Sequence, residues 1–345
     1  MAGTLGALGS ISPLYNQVVE FNPIKPDEVV GDLAKSWEVT DDGLTYTFQL
    51  HEQVKWWDGH DLTAEDVSFS IKRMIALGEP RPRVGLLRPF IESVEVLDRH
   101  RVQIRLKYPS PSFLQFLAVN YMKIVPKHVI EAGVDINRWE NIVGSGPFKT
   151  KRARRGDSVT HEKNPTYFKP GRPYLDTLTV RPINDQGTIA AALRTEKVHM
   201  TIASFNLSVE DVLKLEPDLQ GKYTVHWQPG VNNGIHFFVN VEKEPWTDLR
   251  LIKALRLATD QQEIQKAFGE GKFYQGAPFP VASWYGSPPD ELASRPGYQS
   301  PKAPDIEAAK ALLKEAGYDL PSKLGKRVIL TTPPWIVPDL AQLWA

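Results

Sequence analysis

VKWWDGHDLTAEDVSFSIKR, residues 54–73, carries the densest structural signal in the chain. Asp58-Gly59 is a turn dipeptide. Thr63-Ala64-Glu65-Asp66 has the hydroxyl-then-carboxylate spacing that starts a helix. Val67, Ile71, Met74 and Ile75 follow at i, i+4, i+7 and i+8, one face of an amphipathic helix. Upstream, residues 45–50 (TYTFQL) alternate polar with aromatic or apolar side chains, the pattern of a half-buried strand. Asp42-Gly43 marks the turn before it. The region predicts a hairpin or meander running into a capped helix.

Working outward, strands are expected at 92–97 and 102–107 with a turn at 98–101, and a short helix from Pro126 to Gly133. VGSGP (143–147) is the clearest break, a chain crossing where glycine would supply unusual dihedrals. Strands are expected at 147–151, 159–163 and 178–183, then a helix over 186–196. Further strands are expected at 225–228 and 235–241, and helices at 247–259 and 261–268. Residues 275–299 are rich in Pro, Gly and Ser and read as a long ordered loop. Ala309, Leu312, Leu313 and Ala316 define one face of a helix over 305–316, with Gly317 as its C′ residue. A strand at 327–332 and a helix start at 339–344 close the pass. Strands and helices mingle without strict βαβ alternation, so the fold class is mixed α/β.

The 345 residues fit two or three domains at roughly 100–200 residues each. Forty-one basic and 41 acidic side chains cancel, and no basic excess points to nucleic acid. Lys151, Arg152, Arg154 and Arg155 precede the Gly156-Asp157 turn and read as a solvated loop. Without cysteine, disulfides, thiol catalysis, Cys-ligated zinc and a lipidated cysteine anchor are excluded for this sequence. The longest uncharged stretch, 108–122, falls short of the roughly 20 residues that span a bilayer. Residues 1–10 lack the basic and apolar regions of a signal peptide.

Enzyme motifs fail on spacing. Gly144-Ser145-Gly146 is neither G-x-S-x-G nor part of a phosphate-binding glycine loop. His161-Glu162 is not H-E-x-x-H, because Pro165 takes the second histidine's place. The eight histidines show no helical i, i+4 pair, so neither a metal nor a cofactor is expected. Asp41-Asp42 and Glu65-Asp66 are neighbours with turn or helix-start roles. Trp56-Trp57, Trp227, Trp246, Trp284 and Trp335 lie by loops or strand ends, where they pack a core or line a cleft.

Several segments together resemble the family 5 extracellular solute-binding proteins, the dipeptide- and oligopeptide-binding group. They are PLYNQVVE (13–20), GDLAKSWEVTDDGLTYT (31–47), residues 54–73, VGSGPF (143–148), NPTYFKPGRPYLDTL (164–178), WTDLRLIKALRLATD (246–260) and AAKALLKEAGY (308–318). Their order along the chain matches the family's.

The resemblance implies a type II periplasmic-binding-protein-like α/β fold, bilobal with an extra inserted domain. It places the inserted second domain at 14–142, the lobe I core at 143–240 and the start of lobe II, a third domain cut short, at 241–345. It implies a non-enzymatic importer component that closes on its ligand by hinge motion. The partners would be a peptide or other small solute and an ABC permease in the membrane, at the periplasmic or extracellular face of a bacterial envelope. Gly144, Ser145 and Gly146 would form the domain crossing. Ser204, Phe205, Asn206, Asn232, Asn233, His236 and Trp335 are the ligand-contact candidates by motif position. The acidic anchor for a peptide amino terminus would lie beyond Ala345. Residues 333–337 (PPWIV) hold no arginine where dipeptide binders carry one, which argues against a free dipeptide. The competing readings are a hydrolase with a carboxylate pair in the cleft, acting on peptide or glycan, and a non-functional fragment.

Overall fold

The computed structural model describes residues 11–25, 27–76, 84–201, 207, 209–226, 239–269 and 287–318. The chain forms two compact units, 1–182 and 183–345.

In the first unit a short hairpin, β1 (Val19–Phe21) and β2 (Val29–Gly31), leads into an antiparallel sheet. That sheet contains β3 (Ala34–Val39), β4 (Thr45–Leu50), β5 (Ile91–Asp98) and β6 (Arg101–Leu106) in the order β3-β4-β6-β5. The alternation in TYTFQL works as expected: Tyr46, Phe48 and Leu50 are buried while Thr45, Thr47 and Gln49 are not. Register sets Tyr46 opposite Ile104 and Phe48 opposite Val102, so the buried rows of β4 and β6 coincide.

Helix α1 (Ala64–Ile75) covers this face, burying Val67 and Ile71. Each such aliphatic side chain contributes about 1.5–3 kcal/mol on burial. The Thr63 hydroxyl accepts from Glu65 N at 3.3 Å, and an Asp66 carboxylate oxygen accepts from Thr63 N at 3.0 Å, a capping box. Helices α2 (Phe113–Ala118) and α3 (Lys127–Glu131) follow. The first unit ends in a second antiparallel sheet, β7 (Phe148–Arg154), β8 (Ser158–Lys163) and β9 (Thr177–Val180).

The division between compact units falls after Pro182, whereas the resemblance sets a domain edge at Val143. Val143 and Ile142 pack on the core built by residues 14–125. Lys151, Arg152 and Arg154 are solvated as expected but stand on strand β7, not in a loop. The loop is the turn beyond, where Gly156 takes φ 78°. His161, fully buried in β8, places Nδ1 3.3 Å from Thr150 Oγ1, and burial holds its imidazole below the ordinary histidine value.

The described parts of the second unit are helical: α4 (Gln186–Arg194), α5 (Val209–Leu219), α6 (Leu249–Ala258), α7 (Gln261–Gly269), α8 (Pro289–Ala293) and α9 (Ala303–Glu315). Ile189 and Leu193 of α4 pack with Val212, Leu215 and Leu219 of α5, an element absent from the sequence reading because Pro217 interrupts its pattern. Helix α8 breaks the loop expected over 275–299, with Pro289 in its first turn followed by Asp290 and Glu291. Buried Asp305 accepts from Gly297 N at 2.9 Å, Gln299 N at 3.3 Å and Lys302 Nζ at 2.9 Å, fastening the preceding loop to α9. Burial alone would raise this carboxyl; those donors hold it below the usual carboxylate range. The N-cap of α6, Asp248, accepts from Arg250 N at 2.9 Å. Arg250 Nη1 reaches the Glu315 carbonyl at 3.1 Å and ties α6 to α9. Val225 and His226 are not in a strand, and the remainder of the strand expected at 225–228 lies outside the described residues. So do 235–238 of the next expected strand, the strand at 327–332 and the helix start at 339–344.

Candidate functional site: the glycine crossing and its polar cluster

Gly144-Ser145-Gly146 runs against residues 13–16 so closely that side chains are excluded. A Cβ on Gly144 would lie 1.9 Å from Leu14 O and 2.7 Å from Trp57 Cζ2; one on Gly146 would lie 2.4 Å from Pro13 O. Neither glycine has a positive φ. The expectation of unusual dihedrals is therefore corrected: these glycines are needed for close approach of two backbones.

Hydrogen bonds lock the crossing. Gly146 N donates to Leu14 O at 3.0 Å, and Trp57 N donates to Gly144 O at 2.9 Å. The Gly146 carbonyl also accepts from Asn164 Nδ2 at 3.1 Å and Trp57 Nε1 at 3.4 Å. Ser145, buried, donates through Oγ to Asn16 Oδ1 at 3.1 Å. An amide oxygen is no general base, so this hydroxyl is held as a structural link and not as a nucleophile.

Asn16 connects the crossing to a buried charge. Its Nδ2 donates to Asp32 Oδ1 at 2.8 Å and to Tyr167 Oη at 3.1 Å, while Gln17 N donates to Asp32 Oδ2 at 2.7 Å. Lys169 Nζ sits 2.6 Å from Asp32 Oδ1 and 3.0 Å from Glu20 Oε1. Lys123 Nζ donates to Gln17 Oε1 at 2.8 Å. Burial alone would lower the Lys169 ammonium, but Asp32, Tyr167 and Glu20 hold it above the ordinary lysine range. Burial, and then the Asp32 charge, pushes the Tyr167 phenol up to about 12. Burial raises Glu20, and the Asp32 charge adds to that. Lys123 is pulled down to about 8 by burial, which its acidic neighbours only partly offset.

The crossing residues Gly144, Ser145 and Gly146 are thus brought together with Leu14, Asn16, Trp57 and Asn164. The ligand-contact candidates Ser204, Phe205, Asn206, Asn232, Asn233, His236 and Trp335 all lie outside the described residues. Sequence reasoning missed Asp32, Tyr167 and Lys169 as a cluster. Their one signal was membership of the GDLA and NPTYFK segments. One group of metal-ligating side chains, Asp58, His60 and His128, converges among the described residues.

Residues 28–341 match the sequence profile of the bacterial extracellular solute-binding proteins, family 5 Middle. The chain belongs to this family. As a family 5 chain it is 31% identical over 327 residues to the dipeptide-binding protein of Escherichia coli (strain K12), covering 89% of this chain and 58% of that protein. It is 31% identical over 330 residues to di/tripeptide-binding protein 2 of Pseudomonas aeruginosa (strain UCBPP-PA14), covering 89% and 59%. Its structure superposes on the oligopeptide-binding protein AppA from Bacillus subtilis, solved with a nonapeptide, at TM-score 0.70 and 27% identity, covering 88% and 58%. The family 5 chain has the α/β fold of type II periplasmic binding proteins. It spans less than two thirds of the length of these relatives. Among the described residues no helix is long and apolar enough to cross a membrane.

Proposed function

We propose that this protein is the substrate-binding component of a peptide-type ABC importer. It captures its ligand between two lobes and delivers it to a membrane permease at the periplasmic or extracellular face of the bacterial envelope. The observation that carries this reading is the 31% identity to a dipeptide-binding protein, spread over 89% of the chain. Ligand capture by closure needs no nucleophile or general base, and the buried serine at the crossing has an amide for its partner.

On this reading residues 14–142 are the inserted domain, 143–240 belong to lobe I and 241–345 begin lobe II. Ser204, Phe205, Asn206, Asn232, Asn233, His236 and Trp335 face the ligand. An extended peptide would be held mainly by main-chain hydrogen bonds, with looser pockets for its side chains.

Calorimetry with a panel of di- to nonapeptides tests the reading, with mass spectrometry of each peptide afterwards. Saturable one-to-one binding with the peptide recovered intact supports it. Binding that His236→Ala and Asn232→Ala leave unchanged would refute the site. Cleaved peptide would replace a binder with a hydrolase.

A further inference from the structure

We propose that Asp58, His60 and His128, none of them among the residues proposed to contact solute, form a site for a borderline transition-metal dication such as Zn2+ or Ni2+. Asp58 and His60 come from the WDGHD turn and His128 from the first turn of α3, so no sequence spacing announces the set.

Both supports are fixed by the fold. The turn is closed by Trp56 N donating to His60 O at 2.8 Å, Gly59 N to Trp56 O at 2.9 Å and Leu62 N to Val54 O at 2.9 Å. Helix α3 is fastened to α1 by Lys127 N donating to Asp66 Oδ1 at 3.0 Å. The backbone carrying the three side chains is thus held by hydrogen bonds on both supports.

Their geometry is that of a nearly formed ligand set. His128 Nε2 lies 2.7 Å from Asp58 Oδ2 and His60 Nδ1 lies 3.2 Å from Asp58 Oδ1. One ligand atom from each residue falls within 4.8 Å of the other two. The imidazole centroids are 4.3 Å apart with planes inclined by 32°. Metal–ligand bonds of about 2.0–2.2 Å in a tetrahedral site set donor atoms about 3.3–3.5 Å apart, inside the 4.8 Å spread of these three ligand atoms. Two imidazoles with one carboxylate select Zn2+, Ni2+ or Cu2+ over Mg2+ and Ca2+, which prefer all-oxygen sets.

Charge around the site permits a dication. The neighbouring cations are engaged elsewhere: Lys55 and Arg99 each stand 2.6 Å from Asp61, and Lys127 stands 3.6 Å from Glu65 and 3.9 Å from Glu131. Among the described residues, the ion-pair partners of Asp58 are the two histidines. His60 and His128 also line an open groove of about 530 Å³ that Glu65 and Glu131 border. Three protein ligands would leave coordination positions open for water or a small donor molecule.

Titrating chelator-stripped protein with ZnCl2 in a calorimeter tests the site, with Co2+ absorption as a second readout. One saturable equivalent is expected, with the visible bands of Co2+ bound to nitrogen and oxygen donors. His60→Ala, at an exposed position, should weaken binding by at least the roughly 10–100-fold that loss of a group supporting a ligand costs and abolish those bands, and Asp58→Asn should do the same. His100→Ala, at another histidine, should leave both unchanged. Absence of a saturable equivalent in the parent protein, or equal binding by His60→Ala and the parent, would overturn the proposal.

Discussion

The carboxylate of Asp32 and the ammonium of Lys169 meet at 2.6 Å, with the Asp32 side chain 4% exposed and that of Lys169 30% exposed. Removing one partner of such a pair leaves a buried charge without its counterion, which costs about 3–5 kcal/mol. Lys169→Met, which leaves the buried Asp32 carboxylate with only the neutral donors Asn16 and Gln17, should lower unfolding stability by that amount in urea denaturation. Asp32→Ala should cost less in unpaired charge, because Glu20 still stands 3.0 Å from the Lys169 ammonium. The double variant should be more stable than the sum of the two single losses predicts.

At the crossing, Gly144→Ala and Gly146→Ala each force a methyl group into backbone atoms. A loss of about 1–3 kcal/mol or more is expected for each, read from denaturation midpoints. Gly156→Ala gives the contrast. A methyl group there would meet nothing within 4 Å, but φ is 78°, so the change should cost about 1–2 kcal/mol through strain alone.

Lys123 predicts an alkaline rise in stability. Its ammonium titrates near 8 in the fold, against an ordinary lysine value of 10.5. Between those values the unfolded chain binds the extra proton, so this group makes stability increase as pH rises through the window. Lys123→Met should remove that increment. Denaturation of the two proteins at pH 7.5 and pH 10 measures it as a difference of differences. An identical pH response in both would refute it.

Thr63→Ala removes the hydroxyl that accepts from Glu65 N at 3.3 Å. About 1 kcal/mol of stability should be lost, with Thr63→Ser restoring most of it.

Local signals were legible and distant pairings were not. The capping box at Thr63, the alternation of TYTFQL and the face of Val67 and Ile71 each depend on neighbours a few residues away, and all three stand in the structure. The ends of β7 and α9 shifted because strand and helix ends are set by partners, here β8 and the loop that Asp305 gathers. The glycines of VGSGP were given the wrong physical cause, since their close approach depends on a stretch of chain 129 residues away. Asp32 with Lys169, and His60 with His128, were invisible for the same reason: no spacing rule links a turn to a distant helix or loop.

That crossing also bears on how the protein is made. Residues 13–17 leave the ribosome early, yet the groups that clasp them, Gly146 N and Ser145 Oγ, belong to a segment synthesised much later, and Asn164 closes the joint later still. Until then the Leu14 carbonyl lacks the Gly146 N–H that it accepts from, and the aromatic ring of Trp57 lacks the glycine wall it packs against. Translation halted before residue 146 would present this segment to proteases and chaperones without its Gly146 and Ser145 partners. Only synthesis through Asn164 supplies every partner of the joint.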